Sequence, residues 1–158
     1  MSSTSSDSVR VPWRRLLLIG SVGCGKTTFL QRLQGIEPSY RKTQAIYDQG
    51  GIWDTPGEFI DSPWLKPALR QASTNADLIV FLQAATVATA KIPPGFVSFF
   101  VQPVIGVVTK VDIATPGQIA HARHLLELAG ARQLFEVSSL TGEGFDTVMP
   151  YLRQQNAG

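Results

Sequence analysis

Apolar residues run without polar interruption at Leu16-Leu17-Leu18-Ile19, Leu78-Ile79-Val80-Phe81-Leu82 and Val104-Ile105-Gly106-Val107-Val108. Unbroken runs of this length predict strands covered on both faces, over Arg14 to Ile19, Ala76 to Gln83 and Val104 to Val108. Leu134 to Val137 adds a last strand. Between these runs the period lengthens to that of a helix. Phe29, Leu30 and Leu33 recur at helical spacing after Thr27, and Gly35 supplies a left-handed stop. Trp64, Leu65, Ala68 and Leu69 give an apolar face to the later half of Glu58 to Ala72. Thr115-Pro116 opens a helix through Leu128 that Gly130 ends, and Phe145 to Gln154 closes the chain. Two short pieces, Thr43 to Tyr47 and Ile52-Trp53, read as strands joined by a tight turn over Asp48 to Gly51. Ala84 to Gln102 is broken by Pro93-Pro94-Gly95 and is expected to give a helical turn or two, with Phe96, Phe99 and Phe100 buried rather than offered to a partner. Strands alternating with helices predict an α/β, doubly wound, mostly parallel sheet, to which the Thr43 hairpin adds one antiparallel edge strand.

Composition narrows this picture. The 158 residues suit a single core; Met1 to Ser8 is a Ser-rich polar tail without periodicity, expected to stay disordered, so that 9–158 forms one domain. Hydrophobic residues make up 44% and charged residues 16%, as expected of a folded protein with a covered sheet. Net charge is +2 with no basic stripe, which does not imply nucleic acid. The single cysteine, Cys24, can form no internal disulfide. No apolar run is long enough for a bilayer helix and the N-terminus lacks a secretion signal, so the expectation is a cytoplasmic protein.

The chemistry concentrates in Gly20-Ser21-Val22-Gly23-Cys24-Gly25-Lys26-Thr27-Thr28, directly after the first strand. Glycines let consecutive N–H groups turn inward toward an anion, and the helix that follows directs its positive end to the same place. This is a P-loop: Ser21 to Thr28 would cradle nucleotide phosphates, Lys26 would reach the β- and γ-phosphates, and Thr27 would give its hydroxyl to Mg²⁺. Asp54-Thr55-Pro56-Gly57 ends the returning strand, where open α/β sheets bind ligands. Asp54 is placed for the Mg²⁺ shell through water and the Gly57 N–H for the γ-phosphate. His121 and His124 lie one helical turn apart, but no third ligand is near, which favours a solvated face.

Thr43, Thr109-Lys110-Val111-Asp112 and Ser138-Ser139-Leu140 follow the P-loop and Asp54-Thr55-Pro56-Gly57 in the order of the five guanine-nucleotide motifs. The chain thereby resembles Ras-like and translation-factor-like GTPases. With Arg41-Lys42-Thr43-Gln44-Ala45, the short hairpin and Asp-Thr-Pro-Gly-Glu, it is similar more narrowly to the EutP/PduV proteins of ethanolamine and propanediol utilisation. The resemblance implies a Ras-like P-loop fold of six strands that binds GTP or GDP with Mg²⁺. It implies that Thr43 closes on Mg²⁺ and the γ-phosphate, Lys110 lies along the base, Asp112 accepts guanine N1–H and N2–H₂, and Ser138, Ser139 and Leu140 support the base. It further implies a bacterial microcompartment shell or enzyme as partner.

Departures from the wider pattern bear on rate. Val22 stands where Ras-like proteins usually have glycine, and Glu58 where many relatives carry a water-positioning glutamine, so slow hydrolysis is expected. Glu58 is expected to be an exposed loop residue, since a carboxylate there would repel the transferring phosphoryl group. Arg41, two residues before Thr43, is a candidate arginine finger in cis. Thr109 replaces asparagine, a milder change. Trp53 and Trp64 flank the switch-like segment. Three readings remain at this point: a GTP-hydrolysing switch, phosphoryl transfer to a carboxylate such as acetate, and a nucleotide-dependent adaptor without catalysis.

Overall fold

The computed structural model describes residues 15–20, 23–33, 47–49, 52–54, 66–74 and 76–152, with only the backbone for 47–49, 52–54, 66 and 68. The expected roles of Ser21, Val22, Arg41, Thr43, Gly57, Glu58 and Trp64 therefore fall outside the described residues, as does any side-chain role of Trp53 and Asp54.

The described strands are β1 (Leu16–Ile19), β2 (Tyr47–Gln49), β3 (Ile52–Asp54), β4 (Leu78–Ala84), β5 (Val104–Thr109) and β6 (Gln133–Glu136). The helices are α1 (Lys26–Leu33), α2 (Lys66–Ser73), α3 (Pro116–Ala129) and α4 (Phe145–Leu152). The strands form one sheet in the order β2-β3-β1-β4-β5-β6. β1 pairs in parallel with both β3 and β4, β4 with β5 and β5 with β6, whereas β2 runs antiparallel to β3.

All residues of β1, β4 and β5 are buried, and their alternate side chains enter two separate cores. Leu16, Leu18, Val80, Leu82 and Val107 meet Phe29, Leu30 and Leu33 of α1 and Phe145, Val148 and Leu152 of α4. Leu17, Ile19, Ile79, Phe81 and Val108 meet Leu69 of α2 and Ala122, Leu126 and Ala129 of α3 on the other face. The continuous apolar runs thus answer to helices on both sides.

Several boundaries differ from the sequence expectation. Asp48 and Gln49, expected in the turn of Asp48 to Gly51, belong to the strand Tyr47–Gln49 and pair with Trp53 and Ile52, while Thr43 to Ile46 of the expected strand lie outside the described residues. Gln49 pairs with Ile52, and Gly50-Gly51 between them lie outside the described residues. β4 begins at Leu78 and not Ala76, because the Asp77 carboxylate holds the Arg15 backbone N–H and guanidinium at the strand's entry. Between β4 and β5 the chain makes one 3₁₀ turn, Phe96–Phe99. Phe96 and Phe100 are buried there and pack with Phe81, while Phe99 lies under the Arg70 guanidinium at 4.5 Å. Thr115 and Gln118 form a reciprocal capping box at the start of α3, and Gly130 ends it in the left-handed region. His121 is exposed, yet it is not only solvated, because its Nε2 meets the Ala88 carbonyl at 2.7 Å. Among the described residues no group of three metal-ligating side chains forms, and no helix is long and apolar enough to cross a membrane.

Candidate functional site

β1 lies between β3 and β4, so the chain leaving its carboxyl end at Gly20 emerges between their tips. Gly20 permits a close approach: a Cβ there would stand 2.4 Å from Cys24 Sγ and 3.1 Å from the Leu82 carbonyl oxygen. Beyond it the chain curls through Gly23 and Gly25, both at positive φ, into α1. Lys26 is the first residue of that helix and only 6% exposed, and Thr27 and Thr28 follow half-buried in its first turn. A lysine at the amino end of a helix adds its charge to backbone N–H groups already turned outward.

The tip of β5 is fastened to this curl. The buried Thr109 hydroxyl donates to the Cys24 carbonyl at 2.6 Å, and Lys110 Nζ donates to the Gly23 carbonyl at 2.9 Å. Lys110 is left-handed, φ 63°, the sole non-glycine residue in that region among the described residues. A side chain in that region costs about 1–2 kcal/mol, and the bend it makes opens the 3₁₀ turn Val111–Ile113 that carries the exposed Asp112.

The third wall follows β6. Ser138 is fully buried; its hydroxyl accepts from the Thr141 N–H and its carbonyl from the Gly142 N–H. Glu143 closes the turn by accepting the Ser138 N–H through its carbonyl. Chain reversal is completed at Gly144, where a Cβ would lie 1.9 Å from the Glu136 carbonyl oxygen.

Gly25, Thr28, Thr109, Lys110, Asp112, Ile113, Ser139 and Leu140 line one cavity of about 330 Å³. Seven of these were singled out in the sequence. Ile113 was not: it and Leu140 are each 67% exposed at the rim, where two apolar side chains suit the faces of a planar ring. The signal for Ile113 was its place one residue after Asp112. Ser138 stands behind the wall, organising the turn, while Ser139 is part of it. Arg32 was also missed: from the last turn of α1 it donates to the carbonyls of Ser139 and Leu140.

The residues present fit a nucleotide on two observations. The Ser139 hydroxyl is buried without a hydrogen-bond partner among the described residues, and Asp112, exposed, borders the same cavity. Of the Mg²⁺ set, Thr27 lies in the first turn of α1, and the Asp54 backbone is level with Leu18 two residues before Gly20. Thr43 lies outside the described residues.

A phosphate-type loop after the central strand, with a polar and apolar cavity at the neighbouring strand tips, defines the chain as an α/β protein of the P-loop class. Solved structures agree on the fold. That of a probable GTP-binding protein engB aligns at a TM-score of 0.65 and 18% identity, over 85% of this chain and 94% of that one. A bacterial selenocysteine-specific elongation factor, EF-Sec, aligns at 0.63 and 20% identity over 90% of this chain, which spans only 29% of the factor. Residues 13–154 match the PduV-EutP family, described as ethanolamine utilisation - propanediol utilisation, and the chain belongs to that family. Propanediol utilization protein PduV of Citrobacter freundii is 36% identical over 91% of this chain and 96% of its own length. A protein of Escherichia coli (strain K12) named probable acetate kinase EutP is 31% identical over 92% of this chain and 95% of its own.

Proposed function

We propose that residues 9–158 form one guanine-nucleotide-binding domain that binds GTP with Mg²⁺, hydrolyses it slowly and serves as a switch in ethanolamine or propanediol utilisation. The observation that carries this reading is the fastening of Thr109 and Lys110 to the P-loop carbonyls, which makes the phosphate curl and the Asp112 cavity one unit. Ser21 to Thr28 hold phosphates, with Lys26 countering charge on the transferring group. Asp112 accepts the N1–H and N2–H₂ of guanine, a donor pair that adenine lacks. Ile113 and Leu140 cover the ring faces, and the Ser139 hydroxyl offers its unused capacity to the base. Thr27, Thr43 and Asp54 would hold the metal, which supplies charge neutralisation between phosphate oxygens. Thr43 and the Gly57 N–H would sense the γ-phosphate, coupling its presence to a partner surface that we assign to a microcompartment shell or enzyme. Arg41 is the internal candidate for stabilising the charge that develops on hydrolysis.

The name of the Escherichia coli relative favours a second reading, transfer of a phosphoryl group to acetate. Titration of GTP, GDP and ATP with and without Mg²⁺, together with phosphate release against a Lys26→Ala control, separates the possibilities. Preference for guanine nucleotides and release that depends on Lys26 supports the switch. Acetyl phosphate made from acetate and nucleoside triphosphate supports the transferase. Guanine nucleotide binding without release above the control leaves a non-catalytic adaptor.

A further inference from the structure

Arg32 lies in the last turn of α1, half-buried, 107 positions before the wall it touches. Its Nε donates to the Ser139 carbonyl at 2.8 Å and its Nη2 to the Leu140 carbonyl at 2.7 Å. A third guanidinium nitrogen, Nη1, faces Gly142, where an added Cβ would come within 3.7 Å. We propose that Arg32 is a positioning residue for purine selection, holding the Ser139–Leu140 peptide so that it offers a donor to a 6-keto oxygen. The inference rests on the nucleotide reading above.

The geometry follows from the planar peptide. In a trans unit the N–H points opposite to the C=O, so a Ser139 carbonyl turned toward Arg32 turns the Leu140 N–H toward the cavity side. The same hold on the Leu140 carbonyl fixes the next unit, whose Thr141 N–H is taken by the Ser138 hydroxyl. Among the described residues the Ser139 and Leu140 N–H groups have no partner, and the hold of Arg32 on the peptide between them aims the second at a ligand at that wall. A guanidinium forks rigidly onto two neighbouring acceptors, and its charge polarises both peptides so that the opposite N–H becomes a better donor. A 6-keto purine meets that N–H with an acceptor. A 6-amino purine meets it with a donor, leaving both groups unpaired in a confined site.

Placement on α1 matters as well. Arg32 is six residues after Lys26, about 9 Å along the same helix axis. One rigid element therefore fixes the phosphate end of the site and the wall that reads position 6 of the base.

The test is nucleotide binding by Arg32→Ala and Arg32→Lys of the full chain, with GTP, ITP, ATP and Mg²⁺-tripolyphosphate as probes. Inosine keeps the 6-keto group and loses only the 2-amino group that Asp112 would read. Arg32→Ala should weaken GTP and ITP by the same factor, about tenfold, and leave ATP and tripolyphosphate unchanged. Arg32→Lys, with a point charge but no fork, should fall between, and serves if the alanine variant does not fold. An equal loss for all four probes, or no loss for any, overturns the proposal. Hydrogen exchange without nucleotide gives an independent reading: the Thr141 amide, bonded to the Ser138 hydroxyl, should exchange faster in either variant, and unchanged exchange also overturns it. A wild-type protein that does not prefer GTP to ATP would instead defeat the guanine reading, while exchange would still report on the hold of Arg32.

Discussion

Replacing Thr109 by valine removes one atom's chemistry from the joint between the P-loop and β5. Thr109 is 1% exposed and its hydroxyl donates to the Cys24 carbonyl at 2.6 Å, so water cannot take over the bond when the donor is lost. An acceptor deprived of its buried donor costs about 1–3 kcal/mol, so Thr109→Val should destabilise the fold by about 2 kcal/mol. In a chain of this size that lowers Tm by roughly 4–8 °C. A methyl group also cannot sit at hydrogen-bond distance from the carbonyl, so the curl carrying Gly23 to Gly25 must move. Affinity for GTP and GDP should drop together, by about tenfold, since the phosphate cradle is the part disturbed. Thr109→Ser keeps the hydroxyl and loses one methyl group, about 0.8 kcal/mol of burial, and should retain binding. Calorimetric unfolding and nucleotide titration of the two variants check this. If valine and serine behave alike in binding, or valine leaves Tm within about 1 °C of the parent, the joint is not what holds the curl.

Gly144→Ala puts a methyl group 1.9 Å from the Glu136 carbonyl oxygen at a φ of 84°, and should cost more than about 3 kcal/mol, read as a Tm fall of roughly 10 °C or failure to fold. Asp112→Asn replaces two acceptors by one acceptor and one donor, and should weaken GTP by at least about tenfold while improving binding of xanthosine triphosphate, whose 2-keto group accepts from the new amide. The Arg15 guanidinium is held above its ordinary value, first by its side-chain hydrogen bond to Asp77 and then by the charge of that carboxylate, at an exposed pair. A raised cation contributes its full share below its unfolded value and loses it only as pH climbs through the folded one. Both lie far above neutrality, so Arg15→Ala should leave the shape of the stability profile through the neutral range unchanged, as urea titrations at several pH values would report.

What could be read in the sequence was what local order determines. Gly20 to Thr28 follows a strand and opens a helix, and the structure keeps that order through β1 and α1. Thr115-Pro116 and Gly130 marked both ends of α3 closely because caps are local chemistry. Short strands were less legible. Tyr47–Gln49 carries two polar residues and pairs because β3 lies beside it, a tertiary effect by which Asp48 and Gln49, expected in the turn, continue the strand. Arg32 and Ile113 escaped notice for a related reason. Nothing around Arg32 distinguishes it from a helix-end arginine until β6 brings the Ser139 turn alongside, and Ile113 gains meaning only when Leu140 faces the same cavity.

The central claim is that a phosphate-gripping curl and a base-reading carboxylate serve one ligand. A crystal structure of the protein with GDP and Mg²⁺ tests it most directly. The account predicts phosphates against Gly23 to Lys26, the purine between Ile113 and Leu140, and the Asp112 carboxylate within hydrogen-bond distance of N1 and N2. A nucleotide bound with its base outside the Thr109–Asp112 and Ser139–Leu140 walls, or with Lys26 turned from its phosphates, would contradict it.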